Sequence, residues 1–98
     1  MTRDDWLELT VLERKKYNYL TEVQDVTRQL AESLDRNDQV STRMLIAMRQ
    51  DPIRQLAEVD NSEKLRLGTF SEADQDRVKA LCQGEPPRED GERIFSEQ

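Results

Sequence analysis

The sequence contains no histidine, the side chain most often used as a general base and as a metal ligand. Its absence also excludes the Ser–His and Cys–His pairs of nucleophilic catalysis. Only three glycines are present, two of them in or beside the C-terminal segment, so no glycine-rich phosphate-binding loop can form. No catalytic, cofactor-binding or metal-binding residue is therefore assigned, and the sequence predicts a protein that is not an enzyme.

Cys82 is the single cysteine, so no internal disulfide can form and a reducing cytoplasm is the expected compartment. No apolar run is long enough to cross a bilayer, and membrane insertion is not expected. The net charge is −6, and no basic stripe is interleaved with aromatic residues. Nucleic acids and anionic membrane surfaces are therefore not the expected partners.

Charged residues make up 37% of the 98 residues and hydrophobic residues 35%, a composition typical of long helices with narrow apolar stripes. Residues 5–34 contain no helix breaker. Steps of three and four along this segment define a heptad seam in which six of eight positions are apolar. The seam consists of Leu9, Leu12, Lys16, Tyr19, Val23, Val26, Leu30 and Ser33. Leu20, Thr27 and Leu34 widen it on one side, as in a helix with more than one neighbour.

The segment Asp35-Arg36-Asn37-Asp38 favours a turn, with Asp38 as the N-cap of a second helix from about Gln39. So short a turn predicts an antiparallel, coiled-coil-like helical hairpin. Val40, Met44, Leu45 and Met48 are expected to face the first helix. Pro52 either kinks the second helix or ends it and starts another at Asp51, and a helix that keeps its direction is favoured.

A short third helix is expected between the cap residues around Thr69–Ser71 and Gly84. The fold class is thus all-α: a long antiparallel helical hairpin with a short third helix and a disordered C-terminal tail. Residues 1–84 form a single helical domain in this prediction. Residues 85–98 are acidic and contain few apolar groups, and a disordered tail is expected there.

Residues Met44 to Met48 are five consecutive apolar residues, and at about 100° per residue no single helix face can hold them. Two interpretations are open. In the first, Met44, Leu45 and Met48 face the first helix while Ile46 and Ala47 face the third. In the second, part of this turn binds a partner, since methionine side chains adapt to irregular surfaces. The candidate partner-binding residues are Met44, Leu45, Ile46, Met48, Ile53 and Leu56.

The segment Leu30–Asp38, followed by a helix with Arg49, Ile53 and Leu56, resembles the hairpin of small flagellar type III export chaperones of the FlgN and FliT type. The resemblance covers about residues 10–60. It implies a cytoplasmic chaperone that holds an amphipathic helix of a secretion substrate without catalysis. These chaperones commonly bind through a long C-terminal helix, whereas here that region is short and polar.

The leading functional hypothesis is therefore a non-enzymatic protein-binding helical protein, an export chaperone in the form that the resemblance implies. The alternative is a structural adaptor that dimerises through its helical seam, because two narrow stripes bury little apolar surface for this chain length. A regulatory enzyme without a recognisable motif is a third and remote alternative.

Overall fold

The structure is a computed structural model and describes residues 1–97. It contains four helices, α1 (Arg3–Asp35), α2 (Gln39–Leu67), α3 (Glu72–Cys82) and α4 (Asp90–Ser96), and no strand among the described residues. The helices α1 and α2 pack against each other as a hairpin. The prediction of an all-α fold built on a long helical hairpin is confirmed.

Helix α1 begins at a reciprocal cap. The amide of Asp5 donates to the Oγ1 of Thr2 at 3.2 Å, and the amide of Thr2 donates to the Oδ2 of Asp5 at 3.0 Å. These bonds satisfy two backbone donors that would otherwise lack a partner. The bond from the Thr2 amide is also the largest cause of the lowered pKa of Asp5. All eight positions of the seam expected on α1 are buried or half-buried, so its phase is confirmed.

The turn between the two long helices is built by Asn37 and Asp38. Asn37 adopts a left-handed backbone with φ 55°, and the amide of Asp38 donates to the carbonyl of Ser33 at 2.9 Å. This pattern closes the C-terminus of a helix. Asp38 then starts α2, because its carboxylate accepts from the amide of Ser41 at 3.1 Å and from its hydroxyl at 2.6 Å. The prediction that Asp38 caps α2 is confirmed.

Helix α2 runs through Pro52 without interruption. The alternative in which Asp51 caps a new helix does not occur. Pro52 is buried, and packing of its ring contributes to offsetting the cost of about 3 kcal/mol that proline carries inside a helix. Because proline has no amide hydrogen, the carbonyl of Met48 lacks the usual donor one turn further on. The helix ends at Leu67, immediately before Gly68.

The described chain forms two compact units, where the sequence predicts one helical domain over residues 1–84. Unit 1 contains Met1–Arg14 and residues 60–97, and unit 2 contains Lys15–Val59. Unit 1 holds the hydrophobic core, which consists of Trp6, Leu9, Val78, Leu81 and Phe95.

Trp6 lies at the centre of this core with 2% of its surface exposed. Its ring centroid is 5.4 Å from that of Phe95, with the two planes at 57°, a favourable tilted arrangement. An ion pair on the same unit joins the first turn of α1 to the last turn of α2, since the Nη2 of Arg66 donates to the Oδ1 of Asp5 at 2.7 Å. Trp6 is thus a core residue at the start of α1.

The expectation of a disordered tail is corrected over Asp90–Ser96, which form α4. Gly91 allows this helix to approach closely, because a Cβ there would lie 2.9 Å from the Cβ and Cδ1 of Trp6. Glu92 is buried, and it accepts from the Nε of Arg77 at 2.7 Å. Three contacts therefore hold α4 in place, although its composition is typical of a disordered segment. They are the packing of Phe95 on Trp6, the close approach of Gly91 to Trp6 and the pairing of Glu92 with Arg77.

Candidate functional site

The structure divides the six candidate partner-binding residues among three surfaces of unit 2. Leu45 and Leu56 are half-buried, and they belong to a seam on α2 that repeats at steps of three and four. The seam positions on α2 within unit 2 are Thr42, Leu45, Arg49, Pro52, Leu56 and Val59. The other four candidates are exposed, and they occupy two opposite sides of this seam.

Met44 and Met48 lie on one side, four residues apart and therefore on the same surface of the helix. Their exposed fractions are 59% and 56%, large values for unbranched apolar side chains. They border a groove of about 300 Å³ between the end of α1 and the start of α2. Its lining residues are Gln29, Glu32, Arg36, Ser41, Met44, Leu45 and Met48. The groove therefore brings together three of the candidates.

The groove has an apolar floor and a charged rim. Leu45 and the two methionines come from α2, whereas Glu32 lies on α1 and Arg36 lies in the turn that follows α1. The amide of Arg36 donates to the carbonyl of Glu32 at 3.1 Å, so the two residues are one helical turn apart. A volume of about 300 Å³ is at the lower limit for small-molecule pockets, which span roughly 300–1,000 Å³. Such a space suits one or two apolar side chains of a protein partner, and the rim charges suit polar groups beside them.

A cluster of hydrogen-bonded polar side chains follows Met48 on α2. The carboxylate of Asp51 accepts from the Nε2 of Gln55 at 2.9 Å and also pairs with the guanidinium of Arg54. The bond from Arg54, followed by that from Gln55, lowers the pKa of Asp51, while Asp51 raises the pKa of Arg54. This cluster places an ionised, already hydrogen-bonded carboxylate next to the methionine surface.

Ile46 and Ile53 lie on the opposite side of the seam, with exposed fractions of 47% and 39%. At about 100° per residue, Ile46 is rotated by about 160° from both Met44 and Met48. A second groove, of about 180 Å³, contains Leu34, Gln39 and Thr42 but none of the methionines. Gln39, Ile46 and Ile53 are spaced by seven residues, so they share the side on which Leu34 lies.

The predicted orientation of the start of α2 is corrected. Val40, Met44 and Met48 were expected to face α1, but all three are exposed and only Leu45 faces the seam. Ile46 and Ala47 are exposed as well, so the interpretation in which α3 covers them is wrong. Thr42 and Arg49 also lie on the seam, and apolar character does not predict them because both are polar. Their spacing of seven residues, with Leu45 between them and Pro52 three residues after Arg49, indicates the seam.

Metal-binding side chains are not clustered among the described residues 1–97. No group of three or more cysteine, aspartate or glutamate side chains there is placed to hold a metal ion. Cys82 lies at the end of α3, is exposed, and borders a cavity with Leu81 and Phe95. No helix among the described residues combines the length and the apolar character that are needed to cross a membrane.

Comparisons with known proteins give no relative for this chain. No protein family, no curated protein and no solved structure matches it.

Proposed function

We propose that this protein is a non-enzymatic protein-binding module that holds an amphipathic helix of a partner at the groove beside Met44 and Met48. The observation that supports it most directly is the exposure of both methionines at a groove whose floor is the half-buried Leu45. Methionine-lined grooves accept helices because their flexible side chains repack around irregular apolar faces.

The nature of the partner follows from the composition of the groove. Two apolar side chains one turn apart on the partner would fill the space between Met44 and Met48. Polar groups on either side of that stripe would meet Glu32 and Arg36 at the rim.

The biological setting we propose is flagellar protein export in the cytoplasm. It rests on the resemblance of Leu30–Asp38 and the following helix to small flagellar type III export chaperones. In this setting the protein shields a helix of a filament or hook-associated protein before secretion. Location of the gene within a flagellar operon would support this setting.

A binding assay tests the proposal. The wild-type chain should retain a filament or hook-associated protein from a flagellated host, and Met44→Asp and Met48→Asp should each abolish retention, because a charge in an apolar contact is costly to desolvate. Leu65→Asp is the matched control, since Leu65 is an exposed aliphatic residue on α2 that lies in unit 1, outside the groove. Retention that survives both methionine substitutions would refute the proposed site.

A further inference from the structure

The side of unit 2 that carries Ile46 and Ile53 forms an extended surface, which we call the uncharged flank. Its inner row borders the seam on both helices, and all of its members are exposed. The row consists of Leu20, Thr27, Leu34, Gln39, Ile46 and Ile53. The residues on each helix are spaced by seven, so they form a continuous stripe along the hairpin.

The outer row of the flank is also nearly free of charge. One turn outside the inner row lie six further exposed residues, of which only Arg43 is charged. They are Tyr17, Gln24, Ala31, Arg43, Gln50 and Ala57. The twelve equivalent positions on the groove side include six charged residues, namely Glu22, Asp25, Glu32, Arg36, Asp51 and Glu58. In a chain that is 37% charged, one charge among twelve exposed residues indicates a surface that is covered by protein.

We infer that the uncharged flank is the contact surface for a second copy of this chain, so that two hairpins form a four-helix dimer. The seam cannot serve this purpose because α1 and α2 use it within the hairpin. Within residues 15–59, only Ser33 and Pro52 are fully buried, and every hydrophobic core residue belongs to unit 1. A second copy would supply the apolar burial that unit 2 lacks.

Charge favours a second copy over a charged partner. Unit 2 has seven basic and seven acidic residues, so its net charge is zero, while unit 1 has eight basic and fourteen acidic residues and carries the whole net charge of −6. Two copies that meet through unit 2 therefore join neutral surfaces and are not opposed by net repulsion there.

The register of the hairpin makes the flank nearly symmetric. Contact between the hydroxyls of Ser33 and Thr42, 2.8 Å apart, places residue 27 of α1 level with residue 48 of α2. On α1, Leu20 lies seven residues before Thr27 and Leu34 lies seven residues after it. On α2, Ile46 and Ile53 lie level with positions between Leu20 and Leu34. A two-fold axis through the flank near Thr27 brings the Leu34 end of one copy to the Leu20 end of the other, as an isologous interface requires.

The area of the flank is sufficient for a dimer. Residues 17–34 of α1 extend about 27 Å, and two adjacent helices are about 20 Å wide, which gives a footprint of roughly 540 Å² per copy. Two copies together bury about 1,100 Å², which is close to the lower limit of about 1,000–1,200 Å² for a specific interface. We therefore expect a reversible dimer at micromolar concentrations and not a permanent one.

Sedimentation equilibrium of the full chain over a dilution series up to about 200 µM tests the inference. We expect the mass to approach twice the single-chain value of 11.5 kDa. Leu20→Glu with Ile46→Glu should raise the dissociation constant at least about tenfold, because charges replace apolar contacts. The matched control, Asn18→Glu with Val40→Glu, adds the same charges at exposed positions outside the flank and outside the groove, and it should leave the constant unchanged. A monomeric wild type, or an equal loss in both double variants, would overturn the inference.

A second measurement decides the question if the flank variant does not fold. In a Cys82→Ser background, Thr27→Cys should form a covalent dimer under a mild copper oxidant, which removes the hydrogens of two thiols to form one disulfide. Ala47→Cys, exposed but outside both rows of the flank, should remain monomeric under the same conditions. Equal cross-linking at the two positions, or none at Thr27→Cys, would show that the flanks do not meet.

Discussion

The side-chain oxygens of Ser33 on α1 and Thr42 on α2 lie 2.8 Å apart. Ser33 has no exposed surface, so the two helices approach closely at this point. Because Thr42 faces α1 here, Met44 and Met48 must point away from the seam. One small polar contact beside the turn is thus associated with the exposure of both methionines.

Replacement of Ser33 by leucine should damage this contact. Ser33→Leu adds a large side chain where no space exists, and we expect a loss of about 1–3 kcal/mol in the free energy of unfolding. Arg28→Leu, at an exposed position of the same helix, should change it by less than about 0.5 kcal/mol. Urea unfolding followed by circular dichroism measures both values. Equal losses in the two variants would show that Ser33 is not tightly packed.

Gly91 provides a second test, directed at α4. The Cβ of Gly91→Ala would lie 2.9 Å from side-chain atoms of Trp6, so Trp6 or α4 must move. We expect a loss of about 1–3 kcal/mol in the free energy of unfolding. A shift in the fluorescence of Trp6, the single tryptophan, should accompany it.

Gly68→Ala is the control for this substitution. A Cβ at position 68 would lie 3.5 Å from the carbonyl oxygens of Lys64 and Leu65, which is an ordinary contact. Its fluorescence should match that of the wild type. Identical spectra for all three proteins would contradict the docking of α4 on Trp6.

The sequence predicts the seam of α1 well because six of its eight positions are apolar, and all eight are buried or half-buried in the structure. It predicts α2 less well, since Thr42, Arg49 and Pro52 take seam positions that an apolar pattern would not assign to them. Helix α4 could not be foreseen from composition. Its burial depends on Trp6, 85 residues earlier in the chain than Gly91, and on the pairing of Glu92 with Arg77, and neither contact leaves a local pattern.

Acid should weaken the cap at the start of α2. Hydrogen bonds from the hydroxyl and the amide of Ser41 lower the pKa of Asp38 in the folded protein. A lowered folded-state pKa gives stability that is complete above the unfolded-state pKa and is lost as the pH falls through the folded-state value. The free energy of unfolding should therefore decrease below about pH 4.

Asp38→Asn isolates this contribution, because asparagine caps a helix but does not titrate. Its unfolding free energy should fall less steeply with acid than that of the wild type. Asp35→Asn removes the same charge at a position that starts no helix, and it should retain the wild-type slope. Thermal or urea unfolding at several pH values gives the three slopes. An unchanged slope in Asp38→Asn would argue against the cap as a source of acid sensitivity.

The central claim, that a partner helix binds beside Met44 and Met48, is tested most directly by methyl NMR. The chain contains three methionines, and Met1 packs against the core of unit 1, so ¹³C-methyl labelling yields two reporters and an internal control. The probe is a synthetic peptide with the sequence of an amphipathic helix of a flagellar filament or hook-associated protein. We expect saturable shifts of the Met44 and Met48 methyl signals and none at Met1. Binding of the peptide with both groove methyl signals unmoved would contradict the claim.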